Sequence, residues 1–237
     1  MYDKQDQHFM KDKKILSKIA NLVRLYKEDT VLEIGAGDGA LTRVLAQKCR
    51  VIAVEIDGEL CEKLKNIENT EVVHANILNY LDQHRKFEKI IGSLPYSISE
   101  PLFTKLMNVE FSTAVFVIGS NFFEVLKSNS KLGALIRSFF IVKLEQEIPK
   151  TAFEPEPRVD SVLILVRPKK RLSEKDRIIQ SLVRQQDKKI KNALLKFYEG
   201  KKTKNEVREM LKDFSEELLS KRILELSNEE MEEFAAR

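Results

Sequence analysis

A chain of 237 residues can hold one substantial core and a small appendage. Its 43% hydrophobic and 33% charged content describes a soluble globular protein, and no apolar run approaches the ~20 residues needed to cross a bilayer. Two cysteines and three scattered histidines exclude a disulfide framework and a zinc site, and the polar stretch from Met1 to Met10 lacks a signal peptide's apolar core, so a metal-free cytoplasmic protein is expected.

In chain order, residues 13–25 place Ile15, Leu16, Ile19, Leu22 and Val23 at helical spacing, which predicts a helix packed on a sheet. Short β-rich runs then alternate with amphipathic stretches, the pattern of a parallel sheet covered by helices. The predicted strands are residues 30–34, 50–55, 71–75, 89–92, 114–119, 141–148 and 161–166. A Pro-containing loop, not a helix, separates the last two. That ending suggests a hairpin, so at least one strand should run antiparallel.

Beyond Pro168 only helical patterns remain, at residues 176–198, 204–211, 216–224 and 228–236. The expected division is a domain of residues 1–168 and a small helical domain of residues 169–237. Charge changes at the same place. Residues 167–204 carry 14 Lys and Arg against 4 Asp and Glu, whereas residues 205–237 carry 5 against 10. The basic block suits phosphate contact, with Lys188, Lys189 and Lys191 as candidates; the competing explanation is a solvated helix face.

Within the first domain, Val31-Leu-Glu-Ile-Gly-Ala-Gly-Asp-Gly39 is a strand running into a glycine-rich turn with a helix beginning near Ala40. Glycines permit positive φ and close backbone approach, so a ligand can lie against the turn. By itself the turn fits a dinucleotide or S-adenosylmethionine. Glu33 tips the choice, because a carboxylate there repels a pyrophosphate but suits the cationic amino-acid end of the methyl donor; the competing reading is a solvated strand-end acid. Glu55, ending the second strand, has two oxygens to accept from both ribose hydroxyls.

After the fourth strand, Ser93-Leu94-Pro95-Tyr96 resembles the amino-methyltransferase motif in which Asp, Asn or Ser precedes a proline-containing pair and an aromatic residue. An exocyclic adenine amine delocalises its lone pair into the ring. A site that methylates it must therefore hold the amine with a side-chain acceptor and a backbone carbonyl, of Leu94 or Pro95, while an aromatic face grips the base.

Two further stretches complete a family pattern: Gln7-His8-Phe9-Met10 is similar to an amino-terminal Q-x-F-L element, and Phe153-Glu-Pro-Glu-Pro-Arg-Val-Asp-Ser161 to an F-x-P-x-P-x-V-x-S loop. Residues 184–195 more weakly resemble a basic helix ending in N-A-L. Together these motifs resemble the ribosomal RNA adenine N6-dimethyltransferases of the KsgA/Dim type, related to the erythromycin-resistance methyltransferases. The resemblance implies an α/β protein with a Rossmann-like seven-stranded methyltransferase sheet, one strand antiparallel, and a small C-terminal helical domain. It implies S-adenosylmethionine as cofactor, held by Gln7, Phe9, Glu33, Gly35, Gly37, Glu55, Ile56, Asn76, Ile77 and Ser93. It assigns Ser93, Leu94, Pro95, Tyr96 and Phe153 to the target base, with Tyr96 and Phe153 clamping a flipped adenine. The competing role for Phe153 is a loop anchor in the core, and His8 is expected to face solvent. The implied partner is ribosomal RNA in the immature small subunit, met by a monomer.

The family usually carries Asn at the place of Ser93 and Asp at that of Asn76. Ser93 has a shorter reach, and Asn76 keeps a carbonyl acceptor for the donor's adenine without the charge. A ribosome-assembly or RNA-binding factor with weak or lost methyltransferase activity is the other reading.

Overall fold

The computed structural model describes residues 7–128 and 130–236, apart from the side chains of Tyr96, Glu232, Glu233, Ala235 and Ala236. It divides into two compact units. The first comprises Met1–Glu124 and Ile141–Pro168, and the second Val125–Phe140 and Lys169–Arg237. The second unit thus takes a stretch that the linear division at Pro168 placed in the first.

The strands are β1 (Phe9–Met10), β2 (Thr30–Ile34), β3 (Arg50–Glu55), β4 (Thr70–His74), β5 (Lys89–Ser93), β6 (Thr113–Gly119), β7 (Phe140–Ile148), β8 (Phe153–Glu154) and β9 (Ser161–Pro168). Seven of them form one sheet in the order β4-β3-β2-β5-β6-β9-β7. β2 pairs in parallel with β3 and β5, as do β3 with β4 and β5 with β6, while β9 runs antiparallel to β6. The seven strands and the antiparallel one expected from the sequence are therefore present. β9 inserts between β6 and β7. Val31, Leu32, Ile34, Val51, Ile90, Ile91 and residues 114–118 are all buried, because a parallel sheet covered on both faces wants continuous apolar runs rather than alternation.

A second, two-stranded sheet joins β1 to β8 with Phe9 opposite Glu154 and Met10 opposite Phe153. Two-residue strands carry no periodicity, so this pairing had no signal in the sequence.

Helices α1 (Lys13–Leu22), α2 (Ala40–Ala46), α3 (Gly58–Leu64), α4 (Ile77–Gln83) and α5 (Tyr96–Leu106) belong to the first unit, and α6 (Ser120–Lys127) follows β6. Asp12 caps α1 by accepting from the Lys14 and Ile15 amides, and Ile15, Leu16, Ile19 and Ala20 form its buried stripe. The helix stops short of the predicted Leu25 because Arg24 turns to a φ of 51°.

In the second unit stand α7 (Lys131–Phe139), α8 (Glu174–Arg184), α9 (Ile190–Phe197), α10 (Lys204–Leu211), α11 (Glu216–Ser220) and α12 (Asn228–Ala236). The single helix predicted for residues 176–198 is corrected to α8 and α9. Val183 and Ile190 are both buried and seven residues apart, so the apolar phase runs unbroken across a polar break at residues 185–189. The Ile190 amide leaves helical bonding and donates to Lys221 O at 2.8 Å. Likewise residues 216–224 hold a short helix and a 3-10 turn, Ile223–Glu225, in place of one helix. No described helix is long and apolar enough to cross a membrane.

Candidate active site

From β2 the chain moves to β3 and β4 on one side of the sheet and returns to β5 and β6 on the other. The loops after β2 and β5 therefore diverge, which opens a crevice at the carboxyl ends of these strands. The glycine-rich turn and the Ser93-Leu94-Pro95 turn both lie at that crevice.

The turn works because Gly35 and Gly37 take φ of 67° and 58°. At Gly37 a Cβ would lie 3.1 Å from Phe9 Cε1, so close approach as well as conformation requires glycine. The Gly37 amide donates to Glu55 Oε2 at 2.8 Å, while Glu55 Oε1 accepts from the Ile56 and Asp57 amides at 2.8 and 3.0 Å. A carboxylate offers about four acceptor positions. Glu55 thus latches the β2 turn to the β3 turn, and where the sequence suggested acceptors for both ribose hydroxyls roughly one acceptor position remains.

Glu33 is only 1% exposed, which removes the reading of a solvated strand-end acid. Its Oε2 and the Thr42 hydroxyl are both buried without a hydrogen bond of ordinary geometry among the described residues. Burial pushes the Glu33 carboxyl up to about 8, the neighbouring Thr42 hydroxyl opposes the rise, and the charges of Glu55 and Asp38 add to it. An orphaned acceptor in a wall of low dielectric costs free energy until a cation or donor arrives. Thr42 carries no motif and could be found only from the fold.

Asn76 ends the loop after β4 and caps α4, its Oδ1 accepting from the Leu78 amide at 2.9 Å. Its carbonyl is thus already half engaged. At the end of β5 the Leu94 amide donates to Val117 O at 2.9 Å, and the Pro95 carbonyl accepts from the Ile98 amide at 3.2 Å and the Ser99 hydroxyl at 3.3 Å. Ser93 is half-buried beside them.

The β1 and β8 pairing brings the two remaining motifs together across some 145 residues of chain. Lys11 N–H donates to Ala152 O at 2.9 Å, and His8 Nδ1 lies 2.8 Å from Pro155 O. His8 is accordingly half-buried rather than solvent-facing. Phe153 is 3% exposed within the main apolar core and also lines the crevice, so a core anchor and a site wall coincide in one residue.

Gln7, Phe9, Glu33, Gly35, Gly37, Glu55, Ile56, Asn76, Ile77, Ser93, Leu94, Pro95 and Phe153 all line one cavity of about 350 Å³. Tyr96 opens α5 at its edge, and its side chain lies outside the described ones. The sequence reading missed Asp38, Ala75, Ser97 and Ser161, which line the same cavity. Lys188, Lys189 and Lys191 belong to the second unit and are exposed around Lys189, the residue that precedes α9.

The pattern of the family described as Ribosomal RNA adenine dimethylase matches residues 3–233. A Methanopyrus kandleri protein named "Probable ribosomal RNA small subunit methyltransferase A" is 34% identical over 97% of this chain and 89% of its own. A Lysinibacillus sphaericus "rRNA adenine N-6-methyltransferase" is 31% identical over 98% and 93%. Among solved structures, a dimethyladenosine transferase from Plasmodium falciparum is 25% identical over 96% of both chains with a TM-score of 0.66. The 23S rRNA methyltransferase ErmE, 23% identical over 96% of this chain and 98% of its own with a TM-score of 0.62, shares the fold.

Proposed function

The chain belongs to the ribosomal RNA adenine dimethylase family, and from that premise we propose that it uses S-adenosylmethionine to methylate, and dimethylate, the N6 amine of adenosine in small-subunit ribosomal RNA, acting as a monomer on the immature subunit. The observation that carries the reading is the convergence of four separated motifs, at Gln7, Glu33, Ser93 and Phe153, on one cavity.

The residues present fit the methyl donor. Glu33 offers a buried oxygen with no hydrogen-bond partner of ordinary geometry among the described residues, the acceptor that an ammonium group would satisfy. Gly37 leaves open the space that a Cβ would fill against Phe9. Glu55 would hold the ribose through its remaining acceptor position, Asn76 would meet the adenine through the second lone pair of Oδ1, and Gln7, Phe9, Gly35, Ile56 and Ile77 would close the walls. When bound, S-adenosylmethionine supplies an electrophilic methyl group.

For the target base, Ser93 would accept from the amine with its hydroxyl oxygen. Both acceptor positions of the Pro95 carbonyl are already used by Ile98 and Ser99. The Leu94 carbonyl is therefore the backbone partner we assign. Tyr96 and Phe153 would hold the ring, and catalysis would come from orientation rather than from a protein nucleophile.

The basic block supports the choice of substrate. Lys189 precedes α9, Lys191 lies in its first turn and no acid stands there, although cations at a helix N-terminus are unfavourable by about 0.3–1 kcal/mol each. Such crowding is tolerated where a polyanion docks. The test is radiolabelled methyl transfer to immature small subunits by the wild type, followed by mass spectrometry of the modified nucleoside. Background transfer with donor and subunit binding retained would leave an assembly factor instead.

A further inference from the structure

α1 uses both of its faces. Leu16 and Ile19 line the active-site cavity, whereas Lys13, Lys14, Ser17, Lys18 and Asn21, on the other side of the helix, line a second, open cleft of about 810 Å³. Arg24 continues this wall, and β7 and β9 form the far one with Lys143, Glu145, Leu165 and Arg167.

Lys13, Lys14, Lys18 and Arg24 on the α1 wall and Lys143 and Arg167 on the far one set six cations against one carboxylate in the cleft. That carboxylate, Glu145, is already paired with Lys143 at 2.9 Å, and Lys18 is held by Gln146 Oε1 at 2.7 Å. Lys13, Lys14, Arg24 and Arg167 are exposed and have no ion pair among the described residues. Lys13 and Lys14 stand in the first turn of α1, which holds no acid besides the N-cap Asp12, whose carboxylate is occupied by the Lys14 and Ile15 amides. Among the described residues the walls hold no aromatic side chain of the kind that anchors a protein partner, and their neutral polar groups, Ser17 and Asn21, can hydrogen-bond a phosphate or ribose oxygen.

We propose that this cleft holds a stretch of RNA sugar-phosphate backbone, so that the substrate strand is gripped on one side of α1 while the target base enters the cavity on the other. The inference rests on the function assigned above. α1 is the partition, and a helix is only about 10–12 Å across with its side chains. A strand seated in the cleft thus passes within about one helix width of the cavity that Leu16 and Ile19 line. Its grip is independent of sequence, since lysine and arginine neutralise phosphate without reading base edges.

The test is a Lys13→Gln, Lys14→Gln, Arg24→Gln triple variant, whose positions lie outside the 167–204 block and outside the cavity wall. Affinity for a ribosomal RNA fragment that the wild type methylates is measured between about 50 and 200 mM salt, beside donor affinity by calorimetry. The expected result is a roughly 10–100-fold loss of RNA affinity at low salt, a salt slope flatter by about 2–3, and unchanged donor affinity. A Lys13→Arg, Lys14→Arg variant should bind as the wild type does, which separates charge from folding. Wild-type RNA affinity and slope in the triple variant would overturn the cleft and leave the methyltransferase reading standing. Loss of subunit binding with RNA affinity unchanged would also overturn it, in favour of a protein contact. A wild type that neither binds nor methylates ribosomal RNA would bring down both.

Discussion

The cavity wall around Glu33 and Glu55 and the basic stretch of residues 167–204 both manage charge, by opposite means. Glu33 and Glu55 are 1% and 5% exposed, so in a medium of low dielectric each carboxyl is governed by its few neighbours, three amides at Glu55 and an unmet oxygen at Glu33. Lys188, Lys189 and Lys191 are exposed, and salt screens them from one another and from their ligand. Single substitutions should therefore matter greatly in the first region, while the second should respond only to several at once and in a salt-dependent way.

The sharpest break of that contrast is Glu55→Ala, which strands the Gly37, Ile56 and Asp57 amides. Donor affinity should fall roughly 10–100-fold, about 1–3 kcal/mol, with a lower melting temperature. Calorimetry showing unchanged donor affinity would remove Glu55 from the site. Next is Ser93→Ala, which should lower turnover roughly 10–100-fold while donor and RNA binding stay nearly intact, because its contact matters most as the amine pyramidalises. Equal loss of binding and turnover would make Ser93 structural.

Gly37→Ala should cost about 1–2 kcal/mol from its left-handed φ alone, before the added Cβ presses on Phe9. Thermal unfolding measures it, and a neutral result would mean that the turn can relax.

Glu33 gives a pH test. Its folded pKa of about 8 lies above the ordinary 4.5, so between those values the folded chain holds a proton that the unfolded chain has released. Stability of the donor-free protein should therefore fall as pH rises through that window and level off above it. Glu33→Gln should flatten the dependence and stabilise the donor-free chain at high pH by about 1–3 kcal/mol, while weakening donor binding. Melting curves across the window would contradict this if both proteins moved in parallel.

The smallest effect per substitution belongs to the basic block. Replacing Lys188, Lys189 and Lys191 together by Gln should flatten the salt dependence of RNA binding by about 2–3 in slope without touching donor affinity. Loss from one replacement as large as from all three would mean a specific contact and would erase the contrast between the two regions.

Much of this architecture was legible because it is local. The central strands announce themselves as apolar, β-branched runs, and Gly35, Gly37 and Ser93-Leu94-Pro95 carry their chemistry in adjacent letters. The break between α8 and α9 was hidden for an equally local reason, since buried residues seven apart keep one helical phase whether or not the helix continues. By itself, then, the sequence determined the strands, the turn that holds a ligand and the residue types that suit an amine. The tertiary structure alone decided the state of those groups. It tied Phe9 and Met10 to Phe153 and Glu154, buried Glu33 against Thr42, and gave Glu55 three amides to hold. The physical reason is that burial, and with it protonation and hydrogen-bonding capacity, depends on what distant segments lay over a side chain, and no stretch of neighbouring letters records that.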